Sequence, residues 1–214
     1  MVETSEASPW RQARRRSARD AIVDAAWALV EQEGLAGLSL RDLARLAGIS
    51  TPTVYAYFDS KNAIYDAMFA TAAEQFADTM AKPYDCEDPR ELLVAGVRRF
   101  FDFCTSNVPR YQLLFQRTLP GFEPSPQSYA PAVHALDGTR ELLARNGITQ
   151  PRHLDLWTAL ATGLIDQQVS NDPGGDRWTR LAEESIAMFV AHCQSDSAPA
   201  SARNRPSPDQ RSPS

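Results

Sequence analysis

Residues 38–61 read LSLRDLARLAGISTPTVYAYFDSK, and the order of side-chain types in this stretch decides what the N-terminal part of the chain is. Leu40, Leu43 and Leu46 recur every three residues and give a short helix one apolar face. Ser39 stands just ahead of them, where a hydroxyl can accept from an otherwise unpaired backbone N–H. Ala44 is small enough for a second helix to cross closely. Gly48 permits a backbone conformation that a side chain would penalise, and Ile49 plugs the turn. Ser50 caps a third helix, with Thr51 and Pro52 in its first turn, where proline is tolerated. Val54 and Phe58 anchor that helix from beneath. Two short helices crossing steeply around a tight turn make a helix-turn-helix over residues 39–58.

The outward positions of the second of these helices are Thr51, Thr53, Tyr55, Ala56 and Tyr57. They are small or hydrogen-bonding, and none is acidic. Such a face can enter a major groove: threonine can bond base edges and touch a thymine methyl, and tyrosine hydroxyls reach phosphate oxygens. Lys61 falls at the start of the next helix, where its charge adds to the positive end of the helix dipole and suits a phosphate anchor.

Working outward, the pattern stays helical. A first helix is expected over about Ser17–Glu33, with Ile22, Ala25, Ala26, Leu29 and Val30 in step and Gly34 stopping it. A fourth begins at Asp59 or Ser60 and carries Ile64, Met68, Phe69, Ala72 and Phe76. Residues 83–89 are a linker by composition. An apolar helix follows with Leu93, Val97, Phe100, Phe101 and Cys104, then a shorter one with Tyr111, Leu114 and Phe115. Four prolines between Pro120 and Pro131 suggest a long loop, and helices are expected over about 132–146, 151–170 and 176–194. Strand-type alternation is absent. The expected architecture is all-α: a flexible basic arm over 1–15, a three-helix helix-turn-helix DNA-binding domain over 16–76, a second helical domain over 77–194, and a disordered tail over 195–214.

The whole-chain charge argues the other way at first. A formal net charge of -5 does not suit a nucleic-acid partner. The average hides Arg11, Arg14, Arg15, Arg16 and Arg19, which fall together with no acid among them. That run is either a solvated terminus or a phosphate or minor-groove contact. Cys86, Cys104 and Cys193 are far apart, odd in number and without Cys-x-x-Cys spacing, which suits a reducing compartment and no zinc ribbon. No apolar run approaches the ~20 residues of a membrane span, and no signal peptide is visible, so a cytoplasmic location is expected.

The same stretch resembles the DNA-binding domain of the TetR family of transcription regulators. Glu31 and Gly34 close the first helix, then Ser39, Leu43 and Ala44 follow. Ala47, Gly48, Ile49 and Ser50 form the turn, and Tyr55, Phe58, Ser60 and Lys61 complete the string. The likeness covers about residues 16–76. It departs at Pro52, where many members carry glycine or another small residue, while Tyr57 falls at a position often held by histidine or tyrosine. The resemblance implies a homodimeric, small-molecule-responsive repressor whose recognition helices enter two halves of a palindromic operator. Thr51, Thr53 and Tyr57 would then face bases; Ser39, Arg41, Tyr55 and Lys61 would face phosphates, with Ser50 beside them. In the family the last two helices pair with their copies. Here those helices carry Leu156, Leu160 and Leu164, then Trp178, Ala182, Ile186, Phe189 and Val190. The run from Tyr111 to Phe115, with Trp157 and Gly163, resembles the WHG-type subgroup of ligand domains.

Phe100, Phe103, Tyr111, Phe115 and Trp157 are candidates for a ligand pocket, with core packing as the alternative. Asp166 is either a buried polar group at the pocket or dimer seam, or a solvent-facing one. His134, His153 and His192 show no metal-ligand spacing, so no metal is expected. No cofactor motif is present: there is no Gly-x-Gly-x-x-Gly, His-Glu-x-x-His, Gly-x-Ser-x-Gly or P-loop, which also speaks against an enzyme. An activator, or an interaction module that has lost its operator, is the remaining alternative.

Overall fold

The computed structural model describes residues 9–197. The expected tail beyond Ser197 and the first eight residues of the expected arm lie outside the described residues. Among those described there are nine α-helices and no strand: α1 (Pro9–Glu33), α2 (Leu40–Leu46), α3 (Thr51–Tyr57), α4 (Lys61–Ala81), α5 (Pro89–Ser106), α6 (Val108–Phe115), α7 (Pro126–Arg145), α8 (Pro151–Asn171) and α9 (Ala182–Ser197). Short 3₁₀ turns at Leu35–Gly37 and Thr179–Leu181 complete the trace.

Two apolar cores organise the helices. The first gathers Ile22, Ala26 and Val30 of α1, Leu43 of α2, Val54 of α3 and Ile64, Met68 and Phe69 of α4. The second gathers Leu93, Val97, Phe101, Tyr111, Trp157, Ile165, Ile186 and Phe189. Helix α4 belongs to both, since its Phe76 packs in the second. At 21 residues it runs about 30 Å and is a rigid member shared by the two halves. Leu113 of α6 and the partly buried Leu119 and Phe122 beyond it reach back into the first core.

Four helical boundaries differ from expectation. Helix α1 begins at Pro9, eight residues before Ser17, so residues 9–15 of the expected flexible arm are helical. Arg, Gln and Ala are good helix formers, and proline is preorganised for a first turn. The extension has no buried face, so apolar periodicity gives no sign of it. Helix α7 begins at Pro126, inside the expected 120–131 loop, and keeps Pro131 within it. The proline removes one helical bond. In compensation, the Asp66 carboxylate of α4 accepts from the Ser125 backbone N–H at 2.6 Å, from the Ser125 hydroxyl at 3.0 Å and from the Ser128 hydroxyl at 2.9 Å. Helix α9 begins at Ala182, six residues after the expected 176, following the 3₁₀ turn at Thr179–Leu181, and extends to Ser197, three residues into the expected tail.

Side-chain placement also differs in places. Leu46 is 49% exposed rather than part of the α2 apolar face. It lies six residues beyond Leu40, and at 3.6 residues per turn that is about 120° around the helix. In α9, Ile186, Phe189 and Val190 point into their own core, so the large exposed apolar side chains of the last two helices are Leu156 and Met188.

Candidate nucleic-acid interface

Local capping builds the helix-turn-helix. The Ser39 hydroxyl accepts from the Asp42 backbone N–H at 3.1 Å and donates to the Asp42 carboxylate at 2.7 Å. That donation, joined by the positive charges of Arg45 and Arg41, holds the Asp42 carboxyl below its ordinary range. At the far end of α2 the chain turns in a Schellman arrangement: Gly48 N–H donates to Arg45 O at 3.3 Å and Ile49 N–H to Ala44 O at 3.0 Å. Gly48 adopts φ 68°, the left-handed region that favours glycine. The Ser50 hydroxyl then accepts from Thr53 N–H at 3.2 Å and shares a 2.7 Å hydrogen bond with the Thr53 hydroxyl. Ser60 repeats the device at the start of α4, accepting from Ala63 N–H.

Beneath α3, Val54 and Phe58 are buried, as the sequence leads one to expect. On its outer side Pro52, Tyr55 and Ala56 are exposed, and Thr51, Thr53 and Tyr57 are half-buried. Tyr57 leans against the first core as well as facing out. Arg41 is exposed in the first turn of α2, and Ser39 is half-buried with its hydroxyl hydrogen committed to Asp42. Lys61 is the first residue of α4, and its ammonium lies 5.5 Å from the Tyr65 ring centre.

The arginine run is where structure adds most. The α1 extension lies beside α3, and Arg15 donates to the Ala56 carbonyl at 3.5 Å. Arg19 donates to the Tyr57 carbonyl at 2.5 Å, with its guanidinium 4.2 Å from the Phe58 ring centre. A cation there complements the negative end of the α3 dipole. Between the two helices runs an open groove of about 780 Å³, with Trp10, Arg11, Arg14 and Arg15 on one bank and Pro52, Thr53, Ala56 and Tyr57 on the other. The sequence marks the arginines as a run; only the fold puts them beside α3.

A helix-turn-helix built this way, on a long shared helix, is matched by known proteins. The family model of bacterial regulatory proteins, tetR family, matches residues 22–68. An HTH-type transcriptional regulator of Mycobacterium tuberculosis, Rv1255c, is 32% identical over 87% of this chain and 83% of its own length. The chain belongs to the TetR family of DNA-binding transcription regulators.

Other TetR-family relatives agree. A class C tetracycline repressor protein from Escherichia coli is 35% identical over 83% of this chain and 78% of its own length. Among solved structures, a tetR-family transcriptional regulator from Streptomyces coelicolor has the same fold, with a TM-score of 0.66, 21% identity and coverage of 85% of this chain and 82% of its own.

In this TetR-family chain the C-terminal half encloses a cavity of about 200 Å³ between α4, α5, α6, α7 and α8. Of the five aromatic candidates, Phe100, Phe115 and Trp157 line it. Phe103 and Tyr111 do not. The Phe103 ring packs on Phe76 at 5.1 Å and under the Arg110 guanidinium at 3.8 Å. Tyr111 is buried and donates its hydroxyl hydrogen to the Asp166 carboxylate, which also accepts from Gln116 at 2.6 Å. Asp166 is therefore a half-buried polar tie between α6 and α8, and burial together with that carboxylate raises the Tyr111 pKa. Helical spacing groups all five aromatics alike and does not say which of them back onto a neighbouring helix. His153 is buried between α8 and α9, its Nε2 3.4 Å from the Asp196 carboxylate, and His134 and His192 are exposed. No group of metal-ligating side chains occurs, and no helix is long and apolar enough to cross a membrane, among the described residues.

Proposed function

We infer that this regulator is a small-molecule-responsive repressor that binds a palindromic operator as a homodimer. The observation that carries the reading is the double membership of α4: its first residue, Lys61, flanks the recognition helix α3, and its Phe76 and Met80 form a wall of the cavity. A ligand that changes how that wall packs can reorient α3 through one rigid helix, because an effector acts by its differential contacts with two arrangements. The working division is a DNA-binding domain over 16–76 and a ligand-binding and dimerisation domain over 77–194. Thr51, Thr53 and Tyr57 face bases. Ser39, Arg41, Ser50, Tyr55 and Lys61 lie against phosphates. The dimer forms through α8 and α9, where Leu156 and Met188 stand exposed at 43% and 66%. The tetracycline repressors among its relatives carry the repressor reading in their names.

Footprinting on the DNA upstream of its own gene tests this. The expected result is protection of an inverted repeat whose half-sites are centred about 34–36 Å apart or a multiple of it. A reporter driven by that DNA should be silenced by the protein. Folded protein that protects no repeat, or that raises reporter output, overturns the operator or the repressor assignment respectively.

A further inference from the structure

The cavity's lining says what chemistry it accepts. Phe76, Phe100 and Phe115 meet edge-to-face or nearly so, with ring centres 6.1, 5.2 and 5.5 Å apart, and form an aromatic corner on one side. No Asp, Glu, Lys, Arg or His lines the cavity among the described residues. The nearby carboxylate of Asp166 is not in the wall and is already held by Tyr111 and Gln116. An ion entering the cavity meets nothing to neutralise it, and burying an unpaired charge is prohibitive.

Besides the Trp157 indole N–H and the Tyr129 hydroxyl, the polar side chains of the lining are three threonines, and these offer acceptors. Thr139 of α7 donates to Ala135 O at 3.3 Å. Thr158 and Thr162 of α8 donate to Leu154 O at 2.9 Å and Thr158 O at 2.7 Å. Each hydroxyl hydrogen is thus committed to its own helix, and each oxygen keeps lone pairs that can only accept. The exposed Tyr129 and Leu136 line the cavity too and mark a mouth along α7 whose one hydroxyl is that of Tyr129. A volume of about 200 Å³ is somewhat larger than the ~150 Å³ apolar cavity that takes benzene.

We propose that the effector is an uncharged one- or two-ring aromatic molecule that carries a hydrogen-bond donor. Its ring packs against Phe76, Phe100 and Phe115, and its donor engages the threonine oxygens of α7 and α8. This rests on the reading of the cavity as the effector site and adds the chemical class.

The test is calorimetric titration of the full chain with four matched probes: 2-naphthol, 2-methoxynaphthalene, 2-naphthoate and 2-naphthylmethylammonium. The expected order is 2-naphthol tightest and 2-methoxynaphthalene about fivefold weaker, the loss of one ordinary hydrogen bond. Both ions should be at least ~100-fold weaker. The double variant Thr158→Val, Thr162→Val, checked for folding by circular dichroism, should erase most of the naphthol preference and leave 2-methoxynaphthalene binding unchanged. Ala161→Phe, which narrows the cavity, should weaken both neutral probes. An ion that binds as well as 2-naphthol, equal binding of the two neutral probes, or naphthol binding indifferent to Ala161→Phe overturns the assignment of class and leaves effector control standing. If none of the four binds, the class is overturned, while effector control stands or falls separately on whether any small molecule releases the protein from its operator.

Discussion

Arg19 of α1 holds the last carbonyl of the recognition helix: its guanidinium donates to Tyr57 O at 2.5 Å and covers the Phe58 ring at 4.2 Å. Helix α3 has only seven residues, too short to persist alone, so its angle depends on such outside ties. Arg19→Met keeps the apolar stem and removes the donor and charge. The expected loss is about 1–2 kcal/mol, a fall in Tm of roughly 4 °C, with weaker operator binding. Thermal denaturation and a binding titration check it; a variant equal to the parent in both would mean that water replaces the contact.

The arginines of the α1 extension bank the groove beside α3. If that groove seats duplex phosphates, replacing Arg11, Arg14 and Arg15 with alanine should flatten the dependence of log affinity on log salt by about 2–3. Lys61→Ala should flatten it by about 1 and weaken all sequences alike. Thr53→Ala should instead relax sequence preference, by less than the ~1–3 kcal/mol of a bidentate base contact. A salt slope untouched by the triple substitution assigns the run to solvent.

Asp66 ties α4 to the start of α7, 59 residues away in the chain, through three accepted hydrogen bonds. Asp66→Ala leaves the Ser125 backbone N–H and two hydroxyls without that partner and should cost about 2–3 kcal/mol in denaturant unfolding. Asp66→Asn keeps an accepting oxygen and should cost less. A loss in Asp66→Ala below ~0.5 kcal/mol would show that water caps α7 equally well.

The Ser39–Asp42 pair gives a pH signature. Donation from Ser39 keeps the folded-state carboxyl of Asp42 below its ordinary 3.8, so the interaction is fully present above that value. It is lost as pH falls through the depressed folded value. Carboxyl NMR titration should place the Asp42 midpoint below 3.8, and Ser39→Ala should move it upward. A midpoint unchanged by Ser39→Ala would sink the assignment.

What the sequence alone settles here is short-range. Ser39, Ser50 and Ser60 each cap a helix through the backbone N–H three residues on, and the N–H groups of Gly48 and Ile49 end α2 on carbonyls three and five residues back respectively. Groups so close in the chain meet whatever the rest of the molecule does, so residue type and spacing suffice to read the helix-turn-helix. The tertiary structure decided the rest: that Arg19 reaches a carbonyl 38 residues away, that Asp66 starts α7 inside a proline-rich stretch, and that Phe100, Phe115 and Trp157 face a cavity while Phe103 and Tyr111 do not. Those contacts join residues tens of positions apart, and their partners are chosen by how whole helices pack, which no local pattern of side chains encodes.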